Sequence, residues 1–339
     1  MKKREWKAED LMRLGSGYWS ALAFQAGVQT GLLMALAAGP APAGDLARRL
    51  GLDPRATAQL CLGLKALGVL EEGEGGLALH PDLVEFMDPD SPRSKVNYVQ
   101  HMADMVPAWA QLARCVRTGK PVPPPDKPGE RGEGQDPPER AHFYLAMRDI
   151  AVEQAPGLAG RMGLAGGQSL LDLGGGPGVY ALTFAQETPG LEAAVFDLPQ
   201  AEPYFRQEAA RRPGGGQVGF IVGDYLKDDL GGPYDVIWVS QVLHGEGPAT
   251  CRELAAKAAG ALKPGGTLWV QEFLLGPEAP RHPWPALFSL NMLINTDDGQ
   301  SYTVGEVIGF MEAAGLVDCA YLGPTKEGGP AGLIKGVKP

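Results

Sequence analysis

Leu170-Leu171-Asp172-Leu173-Gly174-Gly175-Gly176-Pro177-Gly178 is the stretch on which the reading of the whole chain turns. The apolar run before Gly174 reads as a buried strand, and Val179–Gln186 after it reads as a helix. Strand, glycine turn and helix in that order make a cradle. Backbone amides at the helix start face a ligand, and a Cβ in the turn would keep the ligand off the backbone. The dinucleotide pattern Gly-x-Gly-x-x-Gly requires glycine at 179, where Val179 stands, so the nicotinamide fingerprint is not met. Asp-x-Gly-x-Gly-x-Gly fits instead, through Asp172, Gly174, Gly176 and Gly178.

Downstream, strand-like and helix-like segments alternate. Ser169–Leu173, Ala193–Phe196, Val218–Val222, Asp235–Val239 and Thr267–Glu272 read as strands, and Val179–Gln186, Pro203–Arg211 and Ala249–Leu262 as helices. That alternation predicts an α/β fold with a parallel sheet covered on both faces, whose ligands sit beyond the carboxyl ends of the strands. Asp197 closes the second strand, 25 residues after Asp172 (197 − 172), where a carboxylate can accept both ribose hydroxyls of a nucleoside. Asp224 ends the third strand and can accept from an adenine amino group. A single aspartate at a strand end is as readily a turn former or helix cap. Three at successive strand ends point to a nucleoside.

Upstream of the sheet the chain is mostly helical. Apolar residues recur at three- and four-residue steps from Ala8 to about Leu36. A short helix follows, with Asp45 as its cap and Gly51 as its stop, and a further helix begins at Asp53-Pro54 and ends at Gly68. Val69–Leu79 reads as two short strands around a glycine turn. Helix, turn, helix and hairpin outline a winged helix. Its second helix carries only Arg55 and Lys65 as cations between Arg55 and Ala66, and its wing is acidic through Glu71, Glu72 and Glu74. Those charges suit packing and dimerisation rather than a grip on phosphate. Thr118–Arg140, dense in proline and glycine, reads as a loop. The expected organisation is a winged-helix-like dimerisation domain over residues 1–93, connecting helices with the Pro-rich loop over 94–162, and a catalytic domain over 163–339.

Bulk properties narrow the function further. The 339 residues carry a net charge of −10, which opposes nucleic acid and anionic membranes as partners. Cys61, Cys115, Cys251 and Cys319 are scattered without CxxC or metal-ligand spacing, and the histidines and acids form no ligand cluster, so neither disulfide nor metal is expected. Glu5, Lys7, Glu9 and Asp10 follow the basic start where a signal peptide needs an apolar core. Tyr18–Ala38 is apolar but holds Gln25, Gln29 and Thr30, which suits a buried helix rather than a membrane span. A cytoplasmic location is expected.

With these motifs in place, the chain resembles the plant-type O-methyltransferase family, which includes caffeate, isoflavone and acetylserotonin methyltransferases and bacterial relatives. The resemblance spans nearly the whole chain. It implies a Rossmann-like catalytic sheet, S-adenosyl-L-methionine (SAM) as methyl donor with S-adenosyl-L-homocysteine (SAH) as product, an intertwined homodimer, and methylation of a hydroxyl on a small aromatic or polyketide-like acceptor. It places Asp172, Gly174, Gly176 and Gly178 at the amino-acid end of SAM, Asp197 with the adjoining Leu198 at the ribose, and Asp224 with Tyr225 at the adenine. His244, in Val242-Leu243-His244, stands at the family's general base, and Glu272 at the acid that orients it. Imidazole independently suits the task, since its pKa of about 6.5 lets it take a proton from a phenol near neutral pH. Phe143, Met147, Asn291, Met292 and Asn295 fall where the family lines its acceptor pocket. Residues of that kind at helical spacing are equally plain core.

Departures from the family pattern keep other readings open. Gly245-Glu246 replaces the family's Asp-Trp after the histidine, Ser301 replaces a second acid, and Ser240 stands where plant members often carry a cofactor-touching lysine. One alternative retains fold and SAM but methylates nitrogen or carbon, or uses SAM without donating its methyl. Another is a winged-helix regulator that senses SAM or a metabolite. A nicotinamide-dependent oxidoreductase stands behind both.

Overall fold

Short continuous apolar runs put the sheet at the centre of the C-terminal half, where it carries the site. The computed structural model describes residues 5–122, 138–279 and 281–339, and the chain separates into two units, residues 1–105 and 106–339. Most of the Pro-rich segment read as a loop lies outside the described residues. The part that is described differs from that reading at its end, because a helix already begins at Pro138 and runs to Gln154.

In the first unit, the helical stretch from Ala8 is not continuous. It forms three helices, Ala8–Gly15, Tyr18–Gln29 and Leu32–Ala37, and Gly31 makes the second break at φ 79°. Asp45 sits inside the first turn of Ala43–Leu50 instead of capping it, since the extended residue ahead of that helix is Pro42. A carboxylate there still complements the helix dipole. Asp53 does cap Pro54–Ala66, accepting from the Ala56 amide at 2.8 Å. The hairpin of β1 (Leu70–Gly73) and β2 (Gly76–Leu79) closes a core that includes Leu32, Leu33, Leu46, Leu64 and Met87.

The second unit is built on seven strands: β3 (Ser169–Leu173), β4 (Glu192–Asp197), β5 (Gly219–Val222), β6 (Tyr234–Ser240), β7 (Leu262–Phe273), β8 (Val317–Pro324) and β9 (Ala331–Val337). Their order across the sheet is β5-β4-β3-β6-β7-β9-β8, parallel except that β9 runs antiparallel to both β7 and β8. Successive residues alternate between two apolar layers. Leu171, Leu173, Ile237, Val239 and Val270 face helices Pro248–Ala261 and Val304–Ala313, while Leu170, Val195, Val236 and Trp238 face helix Val179–Glu187. A strand buried on both faces has no solvent side, which is why these read as continuous apolar runs. The chain passes from β3 outward to β4 and β5, then returns to β6 on the opposite side of β3. The resulting switch point opens a crevice at the carboxyl ends of β3 and β6.

Candidate active site

Each strand that ends at the crevice delivers a polar side chain or a turn. The glycine turn after β3 shows a division of labour that the sequence did not disclose. Gly174, Gly176 and Gly178 all adopt positive φ, but only at Gly176 does a Cβ position face open space, with Tyr144 as its nearest neighbour at 4.0 Å. A Cβ at Gly174 would lie 2.7 Å from a Val242 methyl, and one at Gly178 2.5 Å from the Phe205 ring. Two of the three glycines therefore make room for the protein itself, and Gly176 is the one that leaves room for a ligand.

Asp172 is wholly buried at the end of β3. One carboxylate oxygen accepts from the Ala181 amide at 3.2 Å, and the other has no hydrogen-bond partner among the described residues. Burial raises its pKa to about 7, against the amide bond that lowers it and with the nearby Asp197 charge adding to the rise. Asp197, closing β4, accepts from the Gly176 amide and the Leu198 amide, both at 2.7 Å. Burial raises its pKa, and those two amides oppose the shift. Leu198 is exposed beside it. Asp224, just beyond β5, accepts from the Leu226 amide at 2.9 Å and pairs with Lys227 at 2.7 Å, and the Lys227 hydrogen bond holds its pKa below the usual carboxylate value. Tyr225 donates its hydroxyl to Glu246 at 2.8 Å.

Ser240, the last residue of β6, donates to the Gln271 carboxamide at 3.2 Å, and Gln271 donates in turn to Gln154 at 2.6 Å. Gln154 also accepts from the Tyr180 hydroxyl at 3.2 Å, so a connected polar group stands at the ends of β6 and β7 where a lysine is absent. Gln241 then turns the chain at φ 58°, a conformation that strains any residue with a Cβ, and both polar atoms of its buried carboxamide have no partner among the described residues.

Three residues further on, His244 meets Glu272 from the end of β7. The imidazole Nδ1 lies 2.8 Å from the carboxylate, with the histidine side chain 12% and the glutamate 2% exposed. An ionised carboxylate only accepts, so opposite one Nδ1 is the donor, and in a neutral imidazole that arrangement leaves the Nε2 lone pair free. Phe288 stands edge-on to the imidazole with centroids 4.7 Å apart, and Phe273 continues the edge-to-face series at 4.8 Å from Phe288. Trp284 opens the helix Trp284–Asn295 and turns its ring toward Phe273. Phe288 lies one helical turn after Trp284, an i,i+4 spacing that was legible in the sequence and passed unused.

The other expected residues are placed less directly. Met147 is half-buried and Met292 buried, while Phe143 is exposed with its ring against Tyr144. The Asn291 carboxamide oxygen accepts from the Trp109 indole of the helix Val96–Trp109 at 2.9 Å and from Asn295 on its own helix at 3.0 Å, so both asparagine side chains are engaged within the protein. Ser301 is buried and donates to the Pro285 carbonyl at 2.8 Å, away from any acid–base role. Among the described residues, no three His, Cys, Asp or Glu side chains are grouped to hold a metal.

An open face at Gly176, an orphaned carboxylate oxygen on Asp172 and a half-satisfied carboxylate at Asp197 suit a nucleoside bearing a charged amino-acid tail. The residues present therefore fit SAM. The same crevice in the same sheet order defines the class, a Rossmann-like, SAM-dependent methyltransferase, and solved structures share it. Human N-acetylserotonin methyltransferase in complex with SAM superposes with a TM-score of 0.82 at 25% identity, over 100% of this chain and 99% of that one. A model of the O-methyltransferase domain matches residues 109–317, and the chain belongs to that family. Curated relatives include the tetracenomycin polyketide synthesis 8-O-methyl transferase of Streptomyces glaucescens, 32% identical over 97% of this chain and 96% of that one. Another is the 3-hydroxy-5-methyl-1-naphthoate 3-O-methyltransferase of Streptomyces sahachiroi, 30% identical over 97% and 94%.

Proposed function

We propose that this methyltransferase transfers the methyl group of SAM to a hydroxyl on a small aromatic acceptor, with His244 as general base and Glu272 holding it. The observation that carries this reading is the 2.8 Å contact between His244 Nδ1 and Glu272 at the crevice end of adjacent strands. When bound, SAM supplies an electrophilic methyl group on a sulfonium centre. Asp172, the Gly174–Gly178 turn, Asp197, Leu198, Asp224, Tyr225 and Ser240 hold it. His244 takes the acceptor proton on Nε2 as the oxygen becomes the nucleophile. Glu272 keeps the neutral imidazole in the required tautomer and stabilises the imidazolium that forms. The shielding of the pair strengthens both effects, because little water competes for the charge.

Phe288 stands edge-on to the base with Phe273 and then Trp284 behind it, and two relatives are named for 8-O-methyl transfer in tetracenomycin polyketide synthesis and for 3-O-methylation of 3-hydroxy-5-methyl-1-naphthoate. Both facts favour a planar phenolic acceptor, which Met147 and Met292 contact along with Phe143, Asn291 and Asn295. The assembly is a homodimer formed through the first unit, and neither nucleic acid nor membrane is a partner. Lys65, one of two cations on the second winged-helix helix, is already paired with Glu72 of the hairpin. Among the described residues no helix is long and apolar enough to cross a membrane. The protein works in the cytoplasm.

His244→Ala separates this reading from methylation at nitrogen or carbon. With hydroxynaphthoates as acceptors, kcat at neutral pH falls by about 10²–10⁴-fold, the usual contribution of a general base. SAH affinity, measured by calorimetry, stays near the wild-type value. Activity recovers as pH approaches about 10, where a phenol ionises unaided. Wild-type turnover in the variant at neutral pH would sink the base assignment.

A further inference from the structure

We propose that Glu246 is a positioning residue of the cofactor site, holding the Tyr225 ring at the nucleoside end of the crevice from the loop that carries His244. The proposal rests on the SAM reading of the crevice given above. Two loops meet in this contact. Tyr225 follows β5 and Glu246 follows β6, and the sheet order places β4 and β3 between those strands. The Tyr225 hydroxyl donates to the Glu246 carboxylate at 2.8 Å. The bond thus joins the loops flanking β3 and β4, whose ends carry the glycine turn and Asp197.

Both ends of the link are anchored. On the Tyr225 side, Lys257 donates to the Tyr225 carbonyl at 2.5 Å and to the Asp228 carbonyl at 2.7 Å, which pins the loop to the helix Pro248–Ala261. The ring itself packs on the core layer beneath that helix. On the Glu246 side, the backbone amide donates to the Leu243 carbonyl at 3.1 Å, and the backbone carbonyl accepts from the Tyr302 hydroxyl. Backbone position is settled at both residues, so the hydroxyl–carboxylate bond fixes the remaining freedom, the direction in which the Tyr225 side chain points, while the core beneath it holds the ring face. Burial and the Glu246 charge both keep the Tyr225 hydroxyl protonated, and so a donor. A ring already fixed loses less entropy when a nucleobase settles against it, and affinity rises by that saving. Glu246 stands where the plant members carry tryptophan, so the link departs from the plant pattern.

The test is a double-mutant cycle read by calorimetric titration of the purified full-length chain with SAH. Tyr225→Phe removes one hydroxyl and Glu246→Ala the carboxylate. Each is expected to weaken SAH binding about tenfold, roughly 1.4 kcal/mol. The double variant should lose little more than either single one, because both remove the same bond. Glu246→Gln, whose carboxamide oxygen still accepts, should stay within about threefold of wild type. In turnover assays the KM for SAM should rise while kcat changes little. Singles that bind as wild type does, or a double variant that loses about a hundredfold, would overturn the link. Failure of the wild-type chain to bind SAH at all would instead overturn the SAM reading, and Asp197→Ala, expected to abolish binding, provides the reference for that outcome.

Discussion

Asp172 shows how a residue that sequence places correctly acquires properties only its surroundings confer. Its position at the end of a strand before a glycine turn was plain from the motif. Its burial, its unmatched oxygen and its pKa near 7 were not. The folded-state value lies above the ordinary one of 3.8, so ionisation works against the native state. The stability this carboxyl permits is complete below about pH 4 and is lost as pH rises through about 7. Asp172→Asn keeps an acceptor for the Ala181 amide and cannot ionise. Without cofactor, its melting temperature should therefore gain on wild type by several degrees between about pH 5 and 8. A wild-type protein that gains on the variant over the same range would show the carboxylate to be favourably paired. Ser301 teaches the complementary lesson. The sequence announced the missing acid, and the structure accounts for the hydroxyl that replaced it, which serves the helix start at Pro285.

At the scale of the element, the glycine turn and the helix Trp284–Asn295 depart from their simplest reading. Gly176→Ala and Gly178→Ala should separate the two jobs of the turn. Alanine at 178 must adopt a φ of 73° and strike the Phe205 ring. The left-handed backbone and the overpacking together cost about 2–4 kcal/mol, visible as a large drop in melting temperature. Alanine at 176 bears only the backbone strain, about 1–2 kcal/mol, and should lose SAH affinity out of proportion to its stability. Equal losses of stability in the two variants, with equal binding, would remove the distinction. In the helix Trp284–Asn295, sequence directed attention to Asn291, Met292 and Asn295. The side chain that touches the base is Phe288, one turn earlier. Periodicity marks which residues share a face but not which end of the face meets a neighbour, since that depends on where the helix crosses the strand ends.

Over the whole molecule, the most conspicuous surface feature belongs to the first unit. Trp6, Leu11, Met12, Leu14, Tyr18 and Trp19 are each more than half exposed, and the helix Ala8–Gly15 has no buried residue. Large apolar side chains grouped in one stretch of a single chain are the kind of surface that a partner covers. A second copy of the chain is the occupant that the family resemblance implies. Light scattering should then report a dimer. Leu11→Glu combined with Trp19→Glu should weaken it by about a hundredfold or more, since burying an unpaired carboxylate costs several kcal/mol. The secondary structure should be unchanged by circular dichroism. A wild-type chain that is monomeric at assay concentrations would refute the dimer.

Apolar strand runs, glycine at a turn and aspartate at a strand end are properties of neighbouring residues, so the amino-acid sequence by itself determined the α/β sheet, the crevice and the three carboxylates along it. The winged-helix outline followed in the same way from Asp53-Pro54, Gly68 and the glycine-turned hairpin. What only the tertiary structure decided are the meetings between distant residues. His244 and Glu272 are separated by 28 positions and come within 2.8 Å because β6 and β7 pair in one register, Ser240 opposite Gln271. Tyr225 reaches Glu246 across the ends of β4 and β3, and Gln154 reaches Gln271 from the end of the helix Pro138–Gln154, meetings set by where loops and helix pack on the sheet. A local pattern sets how a segment folds, whereas the register of strands and the crossing of helices set which side chains touch, and those are fixed by the packing of the whole sheet.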